Sequence, residues 1–175
     1  MSVEVVFETH STTEDNEAGI STGWLPGKLS AAGREQARSL GERRRDDGLA
    51  AIFTSDLARC LETVEIAFAG SQIPVVVDPR LRECHYGELN GTPEPRRDRV
   101  ARVGVPYPGG ESWREAVERV AESYDELRHT RDGERVLVVG HGATHLALEF
   151  LVTGRPLEEL VDEPFSWQPG WEYRL

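Results

Sequence analysis

The chain is poor in cysteine and has no long apolar run. Its 175 residues include only two cysteines, Cys60 and Cys84, with no CxxC spacing. We therefore expect reduced thiols, with neither a disulfide framework nor a zinc site. No stretch approaches the roughly 18 to 20 apolar residues that cross a bilayer, and the start MSVEVVFETH lacks the features of a signal peptide. These absences predict a cytoplasmic protein that does not bind membranes.

Positive charge is also scarce, and lysine is almost absent. Lys28 is the only lysine, and 20 basic residues face 31 acidic ones, giving a net charge of −11 and a pI near 4.9. This balance opposes binding to a phosphate backbone, so nucleic acid is a poor candidate partner. The length predicts one domain, and 38% hydrophobic with 29% charged residues is the composition of a folded chain.

Apolar runs alternate with helical patterns, which is typical of βα units and a largely parallel sheet. The pattern predicts a single-domain three-layer α/β/α sandwich over residues 1–175, with a mostly parallel sheet and an antiparallel edge strand. Predicted strands cover 3–9, 51–54, 73–77, 135–140 and, at the edge, 171–175. Predicted helices run from 30 to about 47, 55 to 67, 112 to 127 and 143 to 152, each of the first three beginning at a capping serine: Ser30, Ser55 and Ser112.

Two segments interrupt this alternation. Residues 10–29 form a long polar loop at the carboxyl end of the first strand, where α/β folds place their ligands. Residues 78–110 contain proline and glycine, with a short helix predicted near Asp98, and we interpret them as a small cap or lid. The long loop 10–29 is therefore the first place where functional residues are expected.

Four residues that suit phosphoryl chemistry are predicted at one edge of the sheet. His10 and His141 each follow a strand, Arg59 lies in the first turn of a helix, and Glu83 follows the third strand. Either histidine alone would be read as an ordinary hydrogen-bonded residue, but the pairing favours a shared site. Two imidazoles, one guanidinium and one carboxyl suit phosphoryl transfer to histidine, with cations holding the oxygens and the carboxyl protonating the leaving group.

Short motifs occur in a fixed order along nearly the whole chain. They are Thr9-His10-Ser11-Thr12-Thr13 with Asn16, Thr22-Gly23-Trp24, Thr54-Ser55-Asp56-Leu57-Ala58-Arg59 with Glu62-Thr63, Glu83 with Tyr86-Gly87 and Gly91, Gly109-Gly110-Glu111-Ser112, and Val138-Val139-Gly140-His141-Gly142. This series resembles the histidine phosphatase superfamily, which includes the cofactor-dependent phosphoglycerate mutases. The resemblance implies a phosphoglycerate mutase-like fold.

The resemblance also implies a role for each matching residue. His10 would become phosphorylated, Arg59 and His141 would hold the phosphoryl oxygens, and Glu83 would be the general acid and base. The implied substrate-binding residues are Thr9, Ser11, Asn16, Thr22, Gly23, Tyr86 and Gly142. The phosphatase reaction that the resemblance implies needs no metal, and no cofactor is expected.

The first motif departs from the family pattern, which begins Arg-His-Gly. Thr9 stands in place of the arginine and Ser11 in place of the glycine. Loss of one preorganised oxyanion donor commonly costs roughly 10²- to 10³-fold in rate.

Alternation along the strand places Glu8 on the face of His10, where it would either lie near the anion pocket or turn to solvent. Four basic residues could replace the charge of the missing arginine: Lys28, Arg82, Arg96 and Arg97. Each of them is more simply explained as a surface residue.

Three other features have simple structural interpretations. His145 follows His141 at the spacing of a metal pair, but no acidic partner completes a motif, so helix packing explains it better. Both cysteines adjoin predicted catalytic residues and are expected to be small buried hydrophobes. The basic run 43–45 lies near a helix C-terminus, where the dipole favours cations without any ligand.

Three functions remain open from the sequence. The leading one is a phosphatase that hydrolyses a small phosphorylated metabolite through a phosphohistidine on His10. The segment between Glu83 and Gly109 is shorter than the insertion of the mutases, which favours hydrolysis over a phosphomutase. The altered first motif leaves room for a catalytically silent or repurposed protein that binds a non-phosphate or cationic ligand. A monomer and a homodimer are both compatible with the sequence.

Overall fold

A computed structural model describes residues 2–93 and 98–175. A five-stranded sheet runs through the molecule, formed by β1 (Glu4–Thr9), β3 (Ala51–Thr54), β4 (Val75–Val77), β6 (Arg135–Gly140) and β7 (Trp171–Arg174). The order of these strands across the sheet is β4-β3-β6-β1-β7. Two shorter strands, β2 (Ile20–Ser21) and β5 (Thr92–Pro93), form an antiparallel ribbon, so residues 10–29 and the predicted cap meet there.

Helices cover both faces of the sheet. They are α1 (Glu14–Glu17), α2 (Ala31–Arg44), α3 (Ala58–Ala67), α4 (Trp113–Thr130), α5 (Gly142–Thr153) and α6 (Leu157–Asp162), with 3₁₀ turns at Pro79–Leu81, Gly87–Leu89 and Val100–Arg102. None of the described helices is long and apolar enough to span a bilayer. The short helix predicted near Asp98 corresponds to the last of these turns.

The three predicted layers follow from alternation along the strands. Val5 and Phe7 of β1 pack with α4 and α5, whereas Val6 packs on the other face with Leu40 of α2 and Val64 of α3. One face of α4 is apolar and buried against the sheet; it is formed by Trp113, Val117, Val120, Tyr124 and Leu127. All pairings of β1, β3, β4 and β6 are parallel and β7 pairs antiparallel to β1, which confirms the predicted α/β architecture and its edge strand.

Several boundaries differ from prediction for identifiable reasons. The N-cap of α3 is Leu57 instead of Ser55, because the Ser55 hydroxyl lies 2.7 Å from Nε2 of His141. Strand β4 begins at Val75, since the preceding Pro74 has no N–H to donate to the ladder. Helix α2 ends at Arg44, about one turn early. Helices α1 and α6 and strand β2 were not predicted, because each is shorter than the pattern that reveals an element.

Candidate active site

The parallel pairing of β1 with β6 brings the two predicted histidines together. Thr9 is in register with Gly140, so His10 and His141 follow paired residues at the same edge of the sheet. The His10 backbone N–H donates to the carbonyl of Gly140 at 2.9 Å, and the two ring centroids lie 5.2 Å apart. The proximity expected from two neighbouring strand ends is thus present.

His10 is held with one ring nitrogen occupied and the other free. Its Nδ1 lies 2.8 Å from the carbonyl oxygen of Ser11, which can only accept, so Nδ1 carries the proton. Burial and the nearby Arg59 guanidinium lower the pKa of His10 to about 3. The ring is therefore neutral near pH 7, and Nε2 carries the lone pair that a nucleophile needs.

Two side chains fix the position of His141: Ser55, which directly follows β3, and Cys60 of α3. Its Nε2 lies 2.7 Å from Oγ of Ser55 and 3.3 Å from Sγ of Cys60. Burial and Arg59 hold the pKa of His141 well below its usual range. Its Nδ1 is buried and has no hydrogen-bond partner among the described residues. This nitrogen is thus available to a bound group.

Arg59 is a buried cation without a carboxylate partner in the described part of the chain. It lies at the start of α3 and is only 3% exposed. Its Nη2 donates to the carbonyl of Gly23 at 2.9 Å, and its Nη1 is buried without a partner. A buried charge is costly unless it is paired. This guanidinium therefore favours an anion in the adjoining space.

Glu83 is held by backbone N–H groups, two of them at the start of α5. Its carboxylate accepts from Gly142 at 3.1 Å, Ala143 at 2.9 Å and its neighbour Cys84 at 2.9 Å. The first turn of a helix has N–H groups without internal partners, and a carboxylate satisfies them. These bonds fix the carboxyl group against the backbone that directly follows His141.

A cavity of about 730 Å³ opens over these groups. All four predicted catalytic residues line it, as do six of the seven predicted substrate-binding residues: Thr9, Asn16, Thr22, Gly23, Tyr86 and Gly142. The exception is Ser11, which is buried outside the cavity lining and donates its N–H to Oγ1 of Thr63. Its contribution is the carbonyl that orients His10, so a direct substrate contact is not what the geometry offers.

The loop 10–29, which lines one side of the cavity, is held by hydrogen bonds between its own nearby residues. Asn16 and Thr13 form a reciprocal capping box around α1, and the Thr22 hydroxyl donates to Asp15 at 2.7 Å. Gly23 has a φ of +57°, and a Cβ there would lie 1.8 Å from Oδ1 of Asn90. Only glycine fits at this position, which lets its carbonyl reach Arg59.

Glu8 follows neither of its two sequence interpretations. It is 1% exposed and does not line the cavity, because it points from β1 toward α2 on the face of Val6. There its carboxylate accepts from Arg43 at 3.0 Å and from Arg44 at 2.9 Å. Arg43 and Arg44 do lie in the last turn of α2, as expected, and the structure adds Glu8 as a specific partner that the sequence did not indicate.

The missing cation of the first motif has a different candidate from those expected. Lys28 is exposed and pairs with Glu14, and Arg82 pairs with Asp56. Arg96 and Arg97 lie outside the described residues. Arg99, which sequence reasoning missed, lines the cavity with its guanidinium carbon 4.7 Å from the Trp113 ring centre. Its only sequence signal was membership of the basic segment 96–99.

Metal-ligating clusters were not predicted, and the described residues contain no group of three or more His, Cys, Asp and Glu side chains able to hold an ion. His145 instead stacks on Phe7, with ring centroids 5.0 Å apart and planes 6° apart. Cys60 and Cys84 are free and buried, as expected.

The site brings two neutral imidazoles, a buried guanidinium and a fixed carboxyl group to the carboxyl edge of a parallel sheet, an arrangement that suits phosphoryl transfer. Comparison of the sequence with known families agrees. The profile of the histidine phosphatase superfamily (branch 1) matches residues 6–166, and the chain belongs to that superfamily.

Individual relatives include both mutases and phosphatases. A protein named "Probable phosphoglycerate mutase GpmB" from Serratia proteamaculans is 32% identical over 164 residues, covering 88% of this chain and 76% of the relative. The solved structure of YhfR from Bacillus stearothermophilus is 30% identical with a TM-score of 0.86, covering 95% of this chain and 88% of that one. The mycobacterial glucosyl-3-phosphoglycerate phosphatase in complex with VO3 is 27% identical with a TM-score of 0.79, covering 90% and 85%.

Proposed function

We propose that the protein is a phosphatase that hydrolyses a small phosphate monoester through a phosphohistidine on His10. The observation that carries this proposal is the free Nε2 of a neutral His10 beside the buried, unpaired Nη1 of Arg59. A nucleophile and an unsatisfied cation at one cavity wall suit a phosphoryl group, which supplies both the electrophile and the anion.

In the first half-reaction, Nε2 of His10 attacks phosphorus and the bond from phosphorus to the ester oxygen breaks. Glu83 gives its proton to the departing alkoxide, so the alcohol leaves neutral. Arg59 and the free Nδ1 face of His141 hold the phosphoryl oxygens. In the second half-reaction, Glu83 takes a proton from water, the water oxygen attacks phosphorus, and the P–N bond breaks to regenerate neutral His10.

The proposal is tested by intact-mass spectrometry at alkaline pH after brief mixing with benzyl phosphate, with released phosphate assayed in parallel. Wild type is expected to gain the mass of one phosphoryl group and to release phosphate. His10→Ala is expected to do neither. His129→Ala, which removes an exposed histidine on α4, is the matched control and is expected to behave as wild type. Phosphate release by His10→Ala at the wild-type rate would exclude the mechanism.

A mutase is the second candidate, since proteins named as phosphoglycerate mutases are among the similar sequences. The two functions differ in their need for a bisphosphorylated cofactor. Incubation with 3-phosphoglycerate, with and without 2,3-bisphosphoglycerate, separates them: a mutase forms the 2-phospho isomer only when the cofactor is present, whereas a phosphatase releases inorganic phosphate without it.

A silent or repurposed protein is the third candidate, favoured by Thr9 and Ser11 in the first motif. It predicts that neither phosphohistidine nor free phosphate forms with any ester, although the fold is intact. Retention of His10, Arg59, Glu83 and His141 at one cavity argues for activity instead.

A further inference from the structure

The cavity continues past the four catalytic candidates along one face of α5. His141, His145 and Glu149 are spaced four residues apart and all line the cavity. At the usual helical rise, the Cα atoms of His141 and Glu149 are about 12 Å apart along the axis. If His10 and His141 hold the phosphoryl group, the alcohol portion of the substrate extends toward Glu149.

We call the part of the cavity lining formed by His145, Glu149, Phe165 and Trp171 the distal wall. The polar side-chain atoms of this distal wall accept hydrogen bonds. The Tyr173 hydroxyl donates its single proton to Oε1 of Glu149 and lies 2.7 Å from Nε2 of His145. Nε2 must therefore be the donor in that contact, which leaves Nδ1 of His145 with a lone pair. Burial and the bond to Glu149 raise the pKa of Tyr173, so its proton stays in place. A ligand meeting this wall must supply the donors.

Flat rings form the rest of the wall. The Trp171 ring lies 4.6 Å from the ring of His145, which itself stacks on Phe7. Phe165 lies 6.2 Å from Trp171 and also lines the cavity. Neighbouring aromatic faces of this kind bind planar groups by offset or tilted stacking.

The charge of the wall is negative. Glu149 forms no ion pair with an arginine or lysine among the described residues, and burial lowers the pKa of its neighbour His145, which is therefore neutral near pH 7. Glu163 also lines the cavity, but its carboxylate is already paired with Arg155 at 2.5 Å. Arg155 also attracts Glu149 over a longer distance, but the ion pairs of Arg155 are with Glu163 and Glu159. Glu149 is therefore the carboxylate of this wall that has no direct ion pair with a described arginine or lysine.

We propose that the alcohol portion of the substrate is a planar ring that carries hydrogen-bond donors or a positive charge, and that Glu149 selects it. This inference rests on the proposed phosphatase function and deepens it. Esters with a second anionic group at this distance, such as a carboxylate, meet the Glu149 carboxylate and are disfavoured.

Three benzyl phosphates test the charge preference: unsubstituted, 4-aminomethyl and 4-carboxy. The methylene next to the ester oxygen insulates the leaving group from the para substituent, so reactivity of the bond stays nearly constant. We expect kcat/KM for the cationic ester to exceed that for the neutral ester by about fivefold, and the anionic ester to fall below by a similar factor, as for a partly exposed ion pair.

Two isosteric variants assign the preference to one carboxylate. In Glu149→Gln the cationic-to-anionic ratio of kcat/KM is expected to collapse toward one. In Glu163→Gln, which removes a carboxylate already paired with Arg155, the ratio is expected to stay at its wild-type value. A ratio that survives Glu149→Gln would overturn the assignment.

Cyclohexylmethyl phosphate tests the ring preference, because it matches benzyl phosphate in size and leaving-group type but is not planar. We expect KM to be about threefold lower for benzyl phosphate, from the usual worth of an aromatic pair. Trp171→Leu should remove that difference. Equal KM values in wild type would overturn this part of the inference.

The outcomes distinguish failure of the selection by the distal wall from failure of the proposed phosphatase function. Phosphate released from all the esters at equal efficiency leaves the phosphatase function standing and rejects the distal selection. Faster hydrolysis of the anionic ester also rejects it. Absence of both phosphate release and phosphohistidine with every ester rejects the proposed function itself.

Discussion

Glu8, on the strand that ends just before His10, forms a buried ion pair with Arg44 of α2. Nε of Arg44 donates to Oε1 of Glu8 at 2.9 Å, and Arg43 donates to Oε2 at 3.0 Å. The same Arg44 donates through Nη2 to the carbonyl of Pro169, just before β7. Gly170 has a φ of +89°, a backbone conformation that favours glycine, and a Cβ there would lie 2.2 Å from this Nη2. One guanidinium thus joins α2, β1 and the approach to β7.

Glu8→Ala should destabilise the fold by about 2 kcal/mol, because it removes the buried carboxylate that Arg43 and Arg44 share, although Arg44 keeps its pair with Asp47. Glu4→Ala provides the matched control: Glu4 is on the same strand but is half-exposed in its pairs with Arg135 and Arg174, and its loss should cost less than about 1 kcal/mol. Urea unfolding measures the free energy of unfolding of both variants, and its dependence on urea concentration should be the same in both. Equal losses in the two variants would contradict the buried pair.

Arg59→Met should lower kcat/KM for benzyl phosphate by about 10²- to 10³-fold, since it removes a preorganised donor to the phosphoryl oxygens. The same change removes a buried cation that has no described carboxylate partner, so the free energy of unfolding should stay constant or rise. Arg34→Met, which removes a half-exposed arginine paired with Glu62, should change neither quantity much. Joint loss of activity and stability in Arg59→Met would indicate a structural role instead.

Thr9→Arg restores the first residue of the family motif at a position that lines the cavity. If the substitution in this chain is a simple loss, the added cation should lower the inhibition constant of inorganic phosphate by about tenfold or more. Thr130→Arg, at the exposed end of α4, controls for the change in net charge. Unchanged phosphate affinity in Thr9→Arg would show that another group, with Arg99 the first to test, already fills this role.

Glu83→Gln should separate the two half-reactions. With 4-nitrophenyl phosphate the leaving group departs as an anion and needs no proton, so His10 should still be phosphorylated. Hydrolysis of the phosphohistidine needs Glu83 as base, so the adduct should accumulate in the mass spectrum. With benzyl phosphate, whose alkoxide needs a proton, little adduct should form. Rapid turnover of 4-nitrophenyl phosphate by this variant would place the base elsewhere.

Acidification from pH 7.5 to 5.5 should weaken the fold through its histidines. The folded-state pKa of His10 is about 3, below the unfolded value near 6.5, so the unfolded chain binds more protons between these values. The contribution of His10 is therefore fully present above about pH 6.5 and is lost as pH falls toward 3. His10→Gln should lose less stability over this range than wild type by about 1 kcal/mol. Urea unfolding at both pH values measures the difference.

Sequence patterns predicted the parts of the molecule that depend on short-range order. Strand ends and the parallel sheet brought His10 and His141 to one edge, because β1 and β6 are adjacent and in register. The family motifs identified Arg59 and Glu83, both of which line the cavity.

The errors concern contacts between distant segments. Alternation puts Glu8 on one face of β1, but its partners are more than thirty residues away and depend on how α2 lies on the sheet. Ser55 has the sequence of a cap and is drawn instead to His141, 86 residues further along. Arg99 lies in a segment without periodicity, so its approach to Trp113 has no local signal.

The attachment of Arg44 to the carbonyl of Pro169 has a consequence for how the cavity responds to ligands. Trp171, which forms part of the outer wall, follows Pro169 by two residues and belongs to the edge strand beside β1. The guanidinium that holds this part of the chain also pairs with Glu8 on β1, the strand that ends just before His10. A displacement of the outer wall at Pro169 is therefore coupled through one side chain to the strand that positions His10.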